Sequence, residues 1–246
     1  MHRTVNFQDL GVASYEEAWS YQQSLLDAVI ARKRQNRGLQ PTDADYQTPI
    51  HHLLFCEHPP VYTLGRKGKI EHLLLDEKEL QSEGIEFYKI NRGGDITYHG
   101  PGQLVAYPIF DLEDFFTDVH RYVRTLEEVV IQTLAQYEIQ GHREEGYTGV
   151  WLSATDMQPK RKICAIGVHL SRWVSMHGFA FNISPNLRHF EHIIPCGIQE
   201  DDKAVTSLEK ELGRAVDMDD IKKVVKQQFA ELFEFNYQTT TYPNKQ

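Results

Sequence analysis

The chain is predicted to be an α+β protein, a mixed sheet covered by helices, on three observations. Apolar, β-rich segments of strand length recur at residues 53–55, 61–64, 87–90, 104–109, 150–152, 160–171 and 175–184. These segments are gathered in hairpins, with helical patterns before and after them. The elements are mixed in kind and no internal repeat is present.

Ser14 followed three residues later by Glu17 is a helix-start pattern, since each side chain can satisfy backbone N–H groups that the first turn leaves unpaired. Ala18, Tyr21, Leu25 and Ala28 then follow at helical spacing, and the first helix is expected to reach about Lys33. Pro41 and Pro49 punctuate the polar stretch that follows, before the strands at 53–55 and 61–64. Asp76 with Glu79 repeats the helix-start pattern for a short helix. Between the β segments 87–90 and 104–109 runs Arg-Gly-Gly-Asp-Ile-Thr-Tyr-His-Gly-Pro-Gly-Gln-Leu, residues 92–104, with four glycines and one proline. A hairpin connection needs only a few residues, and a flexible linker has little use for Arg92, Thr97, Tyr98, His99 and Gln103. Glycines interleaved with donors and an aromatic wall suit a loop whose backbone comes close to a ligand.

Val119, Tyr122, Leu126, Val129, Val130, Thr133, Leu134 and Tyr137 form one apolar stripe of a long helix, a packing surface. After the strands from Gly149 to Ser184, Pro195-Cys196-Gly197 places a thiol on a stiff turn. Thr206 with Glu209 starts another helix, and Ile221, Val225, Phe229 and Leu232 give a last one its buried face.

Composition narrows the function without identifying it. With 246 residues, 41% of them hydrophobic, residues 1–246 can build one sizeable core and are read as one domain. No apolar run is long enough to cross a bilayer, and the first residues lack the apolar core of a signal peptide, so a cytoplasmic protein with no membrane partner is expected. Three cysteines, an odd number, do not suggest a disulfide framework. A net charge of −9 opposes a nucleic-acid partner, which would need concentrated Lys and Arg. Twelve histidines invite a metal, but no His-Glu-x-x-His or Cys-x-x-Cys segment is present, and no metal is expected. Phosphate-loop and dinucleotide fingerprints are likewise missing, so no cofactor is expected.

Four blocks in order carry a resemblance: residues 92–104, Lys162-Ile163-Cys164-Ala165-Ile166-Gly167, His177-Gly178-Phe179-Ala180-Phe181-Asn182 and Pro195-Cys196-Gly197. Together they resemble the octanoyltransferase (LipB) family across about residues 7–212, with 35–48 as a local insertion and a helical C-terminal part at about 206–235. The resemblance implies the fold of biotin and lipoate protein ligases. It also implies transfer of an octanoyl group from acyl carrier protein to a lysine of lipoyl domains, the first step of endogenous protein lipoylation. Lipoyl domains of 2-oxoacid dehydrogenases and the glycine cleavage H protein are the implied acceptors, and lipoyl-carrier protein is a second donor.

The same resemblance makes Cys196 the nucleophile, carrying the acyl group as a thioester, with Lys162 beside it. It places substrate contacts at Arg92, Gly93, Gly94, Asp95, Ile96, Thr97, Tyr98 and His99, at Ala165, Ile166 and Gly167, and at Gly178, Phe179 and Ala180. An ordinary thiol with a pKa near 8.5 is only about 3% thiolate at neutral pH, and a nearby ammonium group would raise that fraction. Lys162 in its neutral form is a candidate base for the incoming amine, with His99 or His177 as a proton relay, and backbone N–H groups near Gly94, Gly178 or Gly197 are candidate oxyanion donors. Strand alternation puts residue 164 on the face of 162, so Cys164 is expected as a possible second thiol at the site. Residues 66–69 and 160–162, both cationic, are the candidate docking patches for an acidic carrier.

Two other readings share these features. An ATP-dependent lipoate or biotin ligase would activate a free acid and have no use for Cys196; loading from an acylated carrier without ATP separates it. A module that only docks carrier or lipoyl domains would lose nothing measurable when Cys196 is replaced.

Overall fold

The structure, a computed structural model, describes residues 3–194 and 203–238. Strand β1 (Arg3–Val12) leads into helix α1 (Tyr15–Gln35), whose start is set by Ser14. The Ser14 hydroxyl accepts the Glu17 N–H at 3.3 Å and donates to the Glu17 carboxylate at 2.7 Å. The buried stripe of α1 is Ala18, Gln22, Leu26, Val29 and Ile30, one position round from the stripe that apolar spacing predicts. Gln22 explains the rotation. Its side-chain oxygen accepts the His177 N–H at 3.0 Å, so a residue that periodicity assigns to solvent is drawn into the core.

The chain continues through β2 (His51–Glu57), β3 (Val61–Leu64), α2 (Glu77–Glu83), β4 (Glu86–Lys89), β5 (Ile96–His99), β6 (Gln103–Ile109) and α3 (Val119–Ala135). It then forms β7 (His142–Glu144), β8 (Tyr147–Leu152), β9 (Lys160–Ser171) and β10 (Val174–Asn182). After the undescribed stretch come β11 (Lys203–Val205), α4 (Leu208–Leu212), α5 (Met218–Phe233) and β12 (Phe235–Tyr237). Among the described residues the main sheet runs β12-β1-β2-β6-β10-β9-β8-β7, with β11 beside β9, and β4-β3-β5 form a smaller sheet. The sheet is mixed: β1 lies parallel to β2 and β12, while β2, β6, β10, β9 and β8 are antiparallel in turn.

Alternation along the central strands explains why helices cover both faces. Phe55 and Leu104 join Tyr122, Leu126 and Val130 of α3 and Val225, Phe229 and Phe233 of α5 in one core. Their neighbours Leu54 and Val105 join Leu26, Val29 and Ile30 of α1 in the other. No helix among the described residues is long and apolar enough to cross a membrane.

Several elements depart from the sequence reading. β1 and β12 were not expected, since Arg3–Val12 mixes charge and amide with its apolar residues and gains strand form only by pairing with β2. Ile96–His99, expected as loop, is a strand of the smaller sheet, because Ile96 and Tyr98 bury into a core with Tyr62 and Leu64. The cap of α4 is Ser207, not Thr206: Thr206 is held by its own N–H to Lys162 O at 2.9 Å and by Asn182, whose amide donates to Thr206 O at 2.9 Å.

Glu127 interrupts the apolar stripe of α3 with a side chain that is 0% exposed. Its carboxylate accepts from Arg124 at 2.7 Å, from Arg143 at 3.1 Å and from the Gly149 N–H at 3.0 Å, tying the helix to β8. Glu127→Gln keeps an acceptor for Gly149 but surrenders the charge facing two guanidinium groups, while Glu127→Ala surrenders both. Urea unfolding is expected to rank the variants in that order, with the alanine protein less stable by about 3 kcal/mol.

Candidate active site

Three segments converge on a cavity of about 560 Å³. The first is the stretch 92–95, whose backbone is pinned from below. The N–H groups of Gly65, Arg66 and Lys67 donate to the carbonyls of Asp95, Arg92 and Gly94 at 3.1, 3.0 and 3.1 Å, and the Gly93 N–H donates to Val168 O at 2.8 Å. Glycine is required at the crossing, because a Cβ on Gly65 would stand 2.5 Å from Gly94 O and one on Gly167 2.8 Å from Gly93 O. Arg92, 7% exposed, donates to Thr63 O at 2.6 Å and to Thr63 Oγ1 at 3.0 Å, so its charge is held inside the wall of the cavity.

The second segment is the β9–β10 hairpin, where Gly167 faces Gly178 across the ladder. A side chain at Gly178 would collide with the Ala106 carbonyl and reach 2.8 Å from Pro108, so β6 and β10 approach more closely there than any other residue permits. Just before it His177 adopts a left-handed conformation, φ 59°, stabilised by Gln22 on its N–H and by Asn91, whose side-chain oxygen is 2.9 Å from Nε2. Burial, with Arg92 as the next cause, lowers the His177 pKa to about 3, and burial with His58 and Arg92 holds His99 well below its ordinary value. Both rings are therefore neutral near pH 7 and poor acceptors for a proton from an ammonium group, contrary to the relay role that sequence suggested for them. The Tyr15 ring stacks on His99 at 6.0 Å, and the Tyr107 hydroxyl lies 2.8 Å from His58 Nε2, giving this part of the cavity an aromatic wall.

The third segment is the start of β9. Val150 pairs with Cys164 but Trp151 pairs with Lys162, so Ile163 is an extra residue and the strand bulges. Alternation fails at this bulge. Ile163 and Cys164 both enter the core at 0% exposure, while Lys162 lines the cavity with Nζ 4.7 Å from the centre of the Trp151 ring. Cys164 is therefore in the core and does not line the cavity beside Lys162, contrary to the shared face that strand alternation predicted. Burial, and after it the Glu127 charge, push its thiol pKa well above the ordinary value. Cys56 is buried likewise, and its thiol is pushed up mainly by burial.

Of the residues that sequence singled out, Arg92, Gly93, Gly94, Asp95, Ile96, Thr97, His99, Lys162, Ala165, Ile166, Gly167, Gly178, Phe179 and Ala180 line this one cavity. Tyr98 does not. It points to the other side of β5, where its ring stacks on His189 at 4.8 Å and fills the space that Gly100 leaves by lacking a side chain. Cys196 lies outside the described residues. The cationic run 160–162 is largely spent internally: Lys160 pairs with Glu144 at 2.5 Å, and Arg161 makes a two-pronged contact with Glu211 at 2.7 and 2.6 Å. Arg66, Lys67 and Lys69 remain exposed, with Lys67 on the cavity rim. Sequence reasoning missed Tyr15, Tyr107, Trp151 and His72; only the carboxylate of Asp95, set in a glycine-rich loop, hinted that a partner such as His72 existed.

A family model described as the lipoyl protein ligase A/B catalytic domain matches residues 14–230. An octanoyltransferase of Cytophaga hutchinsonii is 51% identical over 246 residues, covering 98% of this chain and 99% of the relative. An octanoyltransferase of Flavobacterium psychrophilum is 54% identical over 235 residues, covering 95% and 98%. Among solved structures, lipoate-protein ligase A bound with ATP superposes with a TM-score of 0.66 at 15% identity, over 100% of this chain and 91% of that one. A lipoate protein ligase of Thermoplasma acidophilum with bound lipoic acid gives 0.63 at 15% identity, covering 100% and 91%. These structures share the fold, and the mixed sheet with its covering helices agrees with the class expected from sequence.

Proposed function

The chain is an acyltransferase and belongs to the octanoyltransferases of the lipoyl protein ligase A/B catalytic family, and from that premise we propose its donor, its acceptor and its chemistry. It takes an octanoyl group from acyl carrier protein onto the sulfur of Cys196 and passes it to a lysine of a lipoyl domain. The first step exchanges one thioester for another, so the acyl group keeps its reactivity. The second converts a thioester to an amide and runs downhill.

The observation that carries this reading is where Lys162 stands: on the cavity, with the described flanks of the Cys196 segment against the same site. On one side the Ile194 N–H donates to the His72 carbonyl at 2.8 Å, and His72 lines the cavity. On the other, Val205 pairs with Lys162 in the β11–β9 ladder. Apolar lining from Val105, Ile166, Val168, Phe179 and Ala180 suits the chain of the acyl group. Burying its methylenes at about 0.8 kcal/mol each contributes roughly 5 kcal/mol of binding. Lys162 contributes the positive charge that favours the Cys196 thiolate. Lys67 on the rim, with Arg66 and Lys69, is the docking patch for an acidic carrier on a chain whose net charge is −9.

The test is intact mass after exposure to octanoyl-acyl carrier protein without ATP. A gain of one octanoyl group that hydroxylamine removes, and that a lipoyl domain then takes up, is the expected result. A requirement for ATP and free octanoate would instead make the protein a ligase and overturn the proposal.

A further inference from the structure

We propose that His72, oriented by Asp95, is a proton-transfer residue for attack by the acceptor lysine, a reading that rests on the function proposed above. His72 closes the short turn Ile70–His72, and the bridge between Leu73 and Ile193 fixes the chain just beyond it. Its Nδ1 lies 2.7 Å from Asp95 Oδ2, with the two side chains 18% and 8% exposed. A carboxylate only accepts, so Nδ1 carries the hydrogen and Nε2 is left as the basic nitrogen. Asp95 is itself held on both sides, its Oδ1 accepting the Ile96 N–H at 2.7 Å and its backbone carbonyl the Gly65 N–H at 3.1 Å. Base and orienting carboxylate therefore sit on a pinned backbone, and both line the cavity with Lys162. Among the described residues His99 and His177 line it too, but both are buried beside Arg92. His72 is the cavity histidine that faces a carboxylate instead.

In the step, Nε2 takes a proton from the ammonium group of the incoming lysine. The freed nitrogen lone pair forms the C–N bond to the acyl carbonyl, the C–S bond breaks, and its electron pair leaves on sulfur. The surplus proton of the new amide nitrogen passes to that thiolate, and imidazolium returns its own proton to water. No oxidant, reductant or further reactant is needed.

His72→Asn keeps a donor where Nδ1 stands but removes Nε2, and His72→Ala opens space for free imidazole. Octanoyl-enzyme, preloaded from octanoyl-acyl carrier protein, is mixed with a lipoyl domain in single turnovers. We expect both variants to slow acyl transfer about 10²–10⁴-fold, with the lipoyl-domain KM within about threefold of wild type. Added imidazole should restore His72→Ala by at least about tenfold, a response that a merely structural role would not give. Rates within about threefold of wild type, a loss confined to KM, or a loss in His72→Ala that imidazole leaves untouched would overturn the assignment. A wild-type protein that never acquires or transfers the acyl group would instead remove the premise, so the two failures are distinguishable.

Discussion

Replacing Cys196 by alanine is expected to abolish acyl-enzyme formation and to lower transfer to a lipoyl domain by at least about 10³-fold. No substitute thiol is available among the described residues. Cys56 and Cys164 are buried, and the same burial that packs them raises their thiol pKa values and withholds the thiolate that attack requires. Direct attack of the lysine on the carrier thioester would remain, but without the covalent step that divides one barrier into two. Intact mass and single-turnover transfer measure the two effects separately. A Cys196→Ala protein that still gains a hydroxylamine-labile octanoyl group, or transfers within about tenfold of wild type, would show that the sulfur is not the carrier.

Lys162→Met should have the next largest effect, a fall in turnover of about 10²–10⁴-fold, the usual range for loss of a positioned acid or base. Methionine keeps the aliphatic stem along Trp151 and changes the charge more than the packing, so the fold should survive. The charge also makes a second prediction possible. If the ammonium group stabilises the Cys196 thiolate, alkylation by iodoacetamide at neutral pH should be slower in the variant, and its pH midpoint should move up toward that of an ordinary thiol. The sign follows from linkage: removing a cation favours the neutral thiol, so more alkaline solution is needed to deprotonate it. Unchanged alkylation together with unchanged turnover would separate Lys162 from the chemistry and leave it a structural lysine on the cavity wall.

Much of the fold was legible because local chemistry and tertiary structure agree. The Asp76–Glu79 pattern forms the capping box, with Asp76 Oδ1 2.9 Å from both the Lys78 and Glu79 N–H groups and Glu79 returning to the Asp76 N–H at 2.7 Å. The stripe from Tyr122 to Leu134 is buried as its spacing requires, and β9 spans the range read from sequence. Local pattern is insufficient where a residue's partner lies far along the chain. Gln22 turns α1 because it meets His177, and Arg3–Val12 becomes a strand because β2 and β12 flank it.

By itself the sequence determined the class of fold, the places of the long helices and the central strands, and the family, because capping, periodicity and ordered motif blocks are written in neighbouring residues. Only the tertiary structure decided which motif residues share a cavity. A single bulge sends Ile163 and Cys164 into the core and leaves Lys162 at the site, and one strand's alternation turns Tyr98 away while its neighbours Thr97 and His99 remain. The same holds for the pairing of His72 with Asp95, 23 positions apart and 2.7 Å from contact to contact. Such placements depend on sheet register and on the close backbone approaches that Gly65, Gly167 and Gly178 allow, and these arise only when distant segments pack.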